Sequence, residues 1–470
     1  MIDVAEVLRG LPRFETFCSV EKLDGLVASL RDDPARFRVT VPGTSVGGRP
    51  IHHVQFGKGS VKALFVGFPH PNEPVGGLTT FSLLTLLKQH ARELVDADVE
   101  WHVVPCIDPD GAMLNEGWSQ RPFSFESYMK GFHRQELQHQ VECSFPIRYK
   151  RLVFETPTRE ARILQGLLDS IRPDFYYSLH NNFGTGGAWF LLTRDIGQGY
   201  YRELHELLER NGVSLKSDMP YGEFCQQFAA GIKEPTPMWK YYDFLEKVMP
   251  APEKVLQTGA CSWDYLAQIK KSAVTLVAEV PYLRHPSDGS PKATSRNLRQ
   301  LKLRIDAENK FVTTVILEEW ARVEADLDRD SPFHRKIHTG IIAAKDDLNE
   351  GLVSWPMKTR EVLFNANYSR DATEGECFDA YVLDRFIVLC HSHEFVRLLM
   401  ASKQTEAVRQ ATRRVQSVLE EALADIDRNV DFSKFETIDC NALARVQLGS
   451  GLTVLNALLA APLNVSSAQG

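Results

Sequence analysis

Short apolar runs alternate with helical spacings through the middle of the chain. Val61 to Phe68, Trp101 to Cys106, Asp174 to Leu179, Ala188 to Leu192 and Val274 to Val280 each have the length and composition of a strand. Helical stretches such as Leu78 to Leu87 separate them. The alternation predicts an α/β fold with a mixed central sheet and helices on both faces. From about residue 295 the strand signal fades. Leu298, Leu301, Ile305, Val312, Ile316, Trp320, Val323 and Leu327 recur at intervals of three, four or seven, and Val408, Ala411, Val415, Val418, Ala422 and Ile426 at three or four. Two long amphipathic helices follow from this. Weaker patterns at Ile341 to Leu352, Ala380 to Leu399 and Ala442 to Leu459 extend them into a C-terminal bundle of roughly four or five helices. At the other end Val4, Leu8, Leu23, Leu26, Val27 and Leu30 give a helical lead-in closed by Pro42-Gly43. The expected division is therefore a lead-in over 1–44, an α/β domain over 45–295, a helical domain over 296–464 and a small, polar, disordered tail over 465–470.

Composition narrows the function classes without naming a substrate. The 470 residues suffice for two compact units, and 43% hydrophobic with 24% charged residues is ordinary for a soluble protein. A net charge of −7 argues against a nucleic-acid partner, because polyanion binding relies on clustered basic charge. Arg148, Lys150 and Arg151 form a basic cluster too brief to change that. Eight scattered cysteines with no C-x-x-C pair fit a reducing compartment. The N-terminus lacks a basic region followed by an apolar core, and no stretch reads as a bilayer span. A soluble, cytoplasmic protein with no membrane partner is expected.

The candidate chemistry sits where a strand hands over to a helix. In Phe68-Pro69-His70-Pro71-Asn72-Glu73-Pro74 an H-x-x-E set falls on the turn between the run ending at Phe68 and the helix beginning near Leu78. A turn can aim both side chains at one ion, and zinc takes imidazole nitrogen and carboxylate oxygen at about 2.0–2.2 Å. A catalytic zinc site has three protein ligands, so a third is needed. His180, which ends the aromatic run Phe175-Tyr176-Tyr177-Ser178-Leu179, is the candidate. Two other histidine sets, His334 with His338 and His391-Ser392-His393-Glu394, are read as non-metal: the first lacks an acidic neighbour, and the second has histidines two apart, on different sides of a helix. The glycines of Gly184-Thr185-Gly186-Gly187 do not form a dinucleotide fingerprint.

The order of these features resembles the zinc metallocarboxypeptidase family, the carboxypeptidase A-like enzymes and related amidohydrolases. That family has H-x-x-E, a later strand-end histidine and a glutamate near the end of the catalytic domain. Asp108-Pro109-Asp110-Gly111 is similar to its N-P-D-G turn, and Gly259-Ala260-Cys261-Ser262-Trp263-Asp264-Tyr265 is similar to the segment leading into its catalytic strand, here Val274 to Val280. The resemblance spans roughly residues 45 to 300. It implies a carboxypeptidase-like sheet and one zinc ion held by His70, Glu73 and His180. It also implies Glu279 as base and proton shuttle for an attacking water, and an arginine beside the developing oxyanion. Arg121 lies at about the family's distance from the turn, and Arg134 competes with it.

One family feature is missing. The Asn-Arg pair that anchors a substrate's terminal carboxylate is absent from Val141-Glu142-Cys143-Ser144-Phe145-Pro146-Ile147-Arg148. Arg148 or Arg151 would have to replace it. The substrate-holding tyrosine has candidates in Tyr221, Tyr241 and Tyr242, with Tyr242 taken as the substrate contact. The expected activity is hydrolysis of an amide or peptide bond in a small-molecule or peptide substrate. Strict release of C-terminal amino acids and a non-catalytic binding role are the competing readings. The helical domain either caps the site or forms a homo-oligomer interface.

Overall fold

A nine-stranded mixed sheet organises one of two compact units in the computed structural model, which describes residues 1–120, 124–182, 186–216, 225–247, 249–256, 258–342 and 362–460. Its strands are β1 (Phe37–Thr44), β2 (Pro50–Phe56), β3 (Val61–Val66), β4 (Val99–Val104), β5 (Phe175–Ser178), β6 (Trp189–Leu192), β7 (Gln227–Ala229), β8 (Ile232–Lys233) and β9 (Val274–Glu279). They lie in the order β1-β2-β4-β3-β5-β9-β6-β8-β7. The four central strands β4, β3, β5 and β9 are parallel, and β2 and β6 run antiparallel beside them. Between β3 and β5 the chain's connections turn opposite ways, to β4 on one side and toward β6 on the other. In open α/β sheets ligands bind at such a switch, outside the strands' carboxyl ends.

The central strands are mostly apolar because both faces are covered, which is why they read as apolar runs. On one face Leu64, Val66 and Tyr176 join a core with Ala161, Leu164 and Leu168 of the helix Arg159–Ile171 and Leu266 of the helix Ser262–Ile269. On the other, the Phe65 and Tyr177 rings meet edge to face at 5.5 Å under the helix Cys440–Ala460. That helix comes so close that a Cβ on Gly451 would lie 2.7 Å from the Tyr177 ring. At 21 residues it is long and apolar enough to cross a bilayer, contrary to the expectation that no stretch is, yet 83% of its apolar window is buried within the protein. It serves as a core helix.

The second unit comprises Phe123–Glu136 and Leu283–Thr437. Its long helices are Leu298–Val323, Asp384–Ala401 and Glu406–Val430. They bury the apolar stripes seen in the sequence, including Leu301, Ile305, Ile316 and Trp320 on the first and Val408, Ala411, Val415 and Ile426 on the last. Polar groups are also sealed within this unit. His133 Nδ1 lies 2.7 Å from Glu394 Oε1, and the buried Arg385 guanidinium spans Glu308 at 3.2 Å and Asp425 at 2.9 Å.

The expected domain boundaries need correction. Residues 1–44 are not a separate lead-in, since Phe37–Thr44 is the edge strand of the sheet and the helices Val4–Arg9 and Val20–Leu30 belong to the same unit. The segment Phe123–Glu136 groups with the helical unit, while the last helix groups with the sheet. Much of the predicted helix at 341–352, and the tail at 465–470, lie outside the described residues.

A file of buried and half-buried polar groups crosses the antiparallel edge. Thr40 Oγ1 lies 3.2 Å from His53 Nδ1, His53 Nε2 lies 2.9 Å from His102 Nδ1, and His102 Nε2 lies 2.8 Å from Glu100. Burial, then the neighbouring His102 and Arg38, push His53 down to about 4 from an ordinary value of 6.5. The folded protein thus holds His53 neutral while the unfolded chain protonates it near 6.5, so its contribution is intact above that pH and is lost as pH falls toward 4. We predict a drop of roughly 3 kcal/mol across this window. The urea midpoint measured between pH 7 and 4 should fall, and His53→Gln should flatten the fall; an equally steep profile in the variant would refute the assignment.

Candidate metal centre

Three adjacent parallel strands deliver the candidate ligands to one place. Val66, Ser178 and Val277 are paired across β3, β5 and β9, and His180 and Glu279 each lie two residues beyond that row. The pairing persists past the strands, with Leu179 N donating to Val66 O at 3.1 Å and a parallel bridge between Asn181 and Val280. On β3 the chain leaves the sheet more sharply. Phe68 adopts φ 56°, a left-handed conformation that costs a bulky residue roughly 1 kcal/mol or more, and swings His70 and Glu73 back over the strand ends. Gly76 lets the helix Val75–Lys88 start close against β5, where a Cβ would lie 3.1 Å from Leu179 O.

His70, Glu73 and His180 are all buried, and their ligand atoms lie within 4.8 Å of one another. The two imidazole rings meet at 4.9 Å and 68°. His180 Nδ1 faces the carboxylates, 3.1 Å from Glu73 Oε2 and 4.0 Å from Glu279 Oε1. Its Nε2 instead lies 3.0 Å from Ser178 Oγ. If Nε2–H donates to Ser178, the Nδ1 lone pair is turned toward the other ligands, the usual way an outer hydrogen bond sets a ligating tautomer. Burial alone would lower the His180 pKa, but the charges of Glu73, then Glu279 and Glu142, raise it to about 9. That field favours a cation at Nδ1. Two imidazoles and a carboxylate suit zinc, whose tetrahedral ligands at about 2.1 Å stand about 3.4 Å apart. The Glu73–His180 separation is already near that spacing.

Glu279 closes β9 with its side chain 15% exposed, against 2% for Glu73, so it is the more accessible of the two carboxylates. The remaining sequence candidates fall as follows. Arg121 lies outside the described residues. Arg134 belongs to the helical unit. Arg148 is on an exposed hairpin and pairs with Glu155, while Arg151 reaches Glu253 at 3.5 Å. Tyr242 is corrected to a core residue: it is fully buried, packed edge to face on Tyr149 at 5.7 Å, with its hydroxyl 3.3 Å from Glu253. A ring sealed there has no open face for substrate. The Asp-Pro-Asp-Gly turn is a helix start, where the Asp108 side chain accepts from Gly111 N at 2.9 Å and Pro109 occupies the first turn. The tempting His391-Ser392-His393-Glu394 set has its Glu394 bonded to His133.

Sequence reasoning missed the residues behind the ligands. Buried Glu142 accepts from Ser262 Oγ at 2.6 Å and stands 3.5 Å from Ser178 Oγ, extending the line that begins at His180 Nε2. Burial raises its pKa. Asn181 donates from its backbone to Glu73 Oε2 at 3.2 Å and accepts Val75 N at its side-chain oxygen at 3.2 Å. Tyr282 OH donates to Asn72 O at 2.7 Å and pins the loop between the first two ligands. An acidic residue between apolar ones at 142 was the one local sign of any of these.

Residues 25–139 match the family model described as zinc carboxypeptidase, a span that includes His70 and Glu73. No curated protein matches the chain. Among solved structures, the chain is similar to a metallo-carboxypeptidase from Burkholderia cenocepacia, at 15% identity and a TM-score of 0.35, over 56% of this chain and 60% of that one. It is also similar to the carboxypeptidase A from Helicoverpa armigera, at 13% identity and a TM-score of 0.33, over 59% of this chain and 69% of that one.

We predict that the purified protein takes up about one equivalent of zinc and that His70→Ala or His180→Ala abolishes stoichiometric uptake. Ser178→Ala, which removes the partner of Nε2 and its link to Glu142, should weaken zinc binding by about 10–100-fold in a chelator competition. Unchanged affinity in Ser178→Ala would contradict the tautomer assignment. With its three clustered donors and the family match across the first two of them, the chain resembles the zinc carboxypeptidases.

Proposed function

We propose that the protein is a zinc-dependent hydrolase that cleaves an amide or peptide bond in a small or carboxy-terminal substrate, within a reducing, cytoplasmic setting. The observation that carries this reading is the convergence of His70, Glu73 and His180 at the carboxyl ends of adjacent strands, with Glu279 4.0 Å from His180 Nδ1. Zinc, when bound, supplies a Lewis acid that polarises a carbonyl and makes water acidic enough to attack near neutral pH. Glu279 is the proton carrier. Its carboxylate oxygen takes the proton of the attacking water and returns it to the nitrogen of the departing amine, a role that needs hydrogen-bond reach and some access to substrate. Its partly exposed place at the end of β9 supports that role.

The surroundings favour an amidohydrolase or a peptidase of relaxed specificity over a strict carboxypeptidase. The stretch that would hold a carboxylate-anchoring Asn-Arg pair carries buried Ser144 and Phe145, with the Phe145 ring 5.7 Å from Tyr265 inside the core. Arg148 and Arg151, the replacements, each already face a carboxylate. Paired substrates with a free and an amidated C-terminus separate the two: comparable cleavage of both supports the proposal, and loss of cleavage on amidation would favour the strict exopeptidase. Glu279→Gln should lower kcat by about 10²–10⁴-fold while zinc content stays unchanged. Normal turnover in that variant would remove Glu279 from the mechanism.

A further inference from the structure

The helix Cys440–Ala460 is nearly all apolar where it meets the sheet, yet it places one amide there. Gln447 is fully buried. Its Nε2 donates to His180 O at 2.7 Å, and its Oε1 accepts from Thr79 Oγ1 at 2.8 Å. Its own backbone carbonyl accepts from Tyr177 OH at 2.8 Å. One side chain thus joins the backbone of the third ligand to the helix that begins two residues after the second. Thr79 lies one turn into that helix with its hydroxyl also 3.2 Å from Val75 O, so its one proton is shared between that carbonyl and the nearer Gln447 oxygen, while Val75 N is held by Asn181 beside His180. The two ligand-bearing segments are therefore tied together twice, once by Asn181 and once by Gln447.

We propose that Gln447 is a positioning residue for the metal centre, holding His180 at a fixed separation from the His70–Glu73 turn. The inference rests on the zinc reading of the site. Burying an amide costs free energy unless its hydrogen bonds are made, and the residues one turn back on the same face, Leu443 and Ala444, are buried apolar groups that offer it no partner side chain. A methionine would fill nearly the same volume. What the amide adds is a link between two segments far apart in sequence, both of which must keep their geometry for three donors to meet one ion.

The test compares zinc affinity in folded protein with stability of the metal-free form. Gln447→Met is expected to bind zinc about 10–100-fold more weakly than wild type in a chelator competition at 25 °C and to release it faster, with its circular dichroism spectrum retained. Ser450→Ala is the control. Ser450 is buried on the same helix, and among the described residues its hydroxyl bonds Val446 O alone, at 2.6 Å, so its variant should keep wild-type zinc affinity whatever its melting temperature. Wild-type affinity in folded Gln447→Met, or equal losses in Gln447→Met and Ser450→Ala, would overturn the inference. If Gln447→Met does not fold, Thr79→Val breaks the other half of the bracket and should weaken zinc binding, with unchanged affinity again overturning the proposal. Absence of zinc binding by the wild type would instead refute the metal centre itself, so the two failures are distinguishable.

Discussion

Parallel pairing of β3, β5 and β9 is the constraint on which the site depends. Because the three strands advance in step, whatever follows Val66, Ser178 and Val277 emerges on one rim of the sheet at one level. The ladder itself cannot bring a turn such as His70–Glu73 back across that rim; the left-handed Phe68 does so, and the hydrogen bonds from Asn181 and Tyr282 keep it there. A register shift of one residue on β5 would send His180 to the opposite face and separate the donors.

Charge explains why so polar a group is tolerated at such depth. Glu73, Glu142 and His180 are all nearly inaccessible, and an isolated buried carboxylate would simply take up a proton. Here His180 is held strongly basic by the surrounding carboxylates, so the metal-free site answers its own excess of negative charge with a proton at the imidazole. A divalent cation would answer it better. The same electrostatics that would destabilise an empty site therefore favour a positive ion there, and the line from His180 through Ser178 to Glu142 orients the ring for it.

Much of this was legible in the chain. The central strands announced themselves because burial on both faces leaves little polar alternation to obscure them, and H-x-x-E at a strand end was visible as paired donors. His180 was legible by its position after an aromatic run. The misplaced boundaries have a common cause. Helical periodicity reports which face of a helix is buried but not which partner buries it, so Cys440–Ala460 was grouped with the helices before it in the chain. Its nearly uniform apolarity, with Val446 to Leu458 all buried, was the sign of a helix enclosed on most sides. Edge strand β1 was hidden by Pro42 and Gly43, which read as a terminator. Glu142, Ser178 and Gln447 had no comparable local signal, because each acts through a partner supplied by the fold.

Where the metal goes decides whether His70, Glu73 and His180 form one site. An anomalous difference map from crystals of the zinc-loaded protein, measured at the zinc absorption edge, locates the ion directly. The account predicts a peak within about 2.0–2.2 Å of nitrogen atoms of His70 and His180 and an oxygen of Glu73. A protein saturated with zinc whose density lies elsewhere, for instance between His334 and His338, with these three side chains left apart, would contradict it.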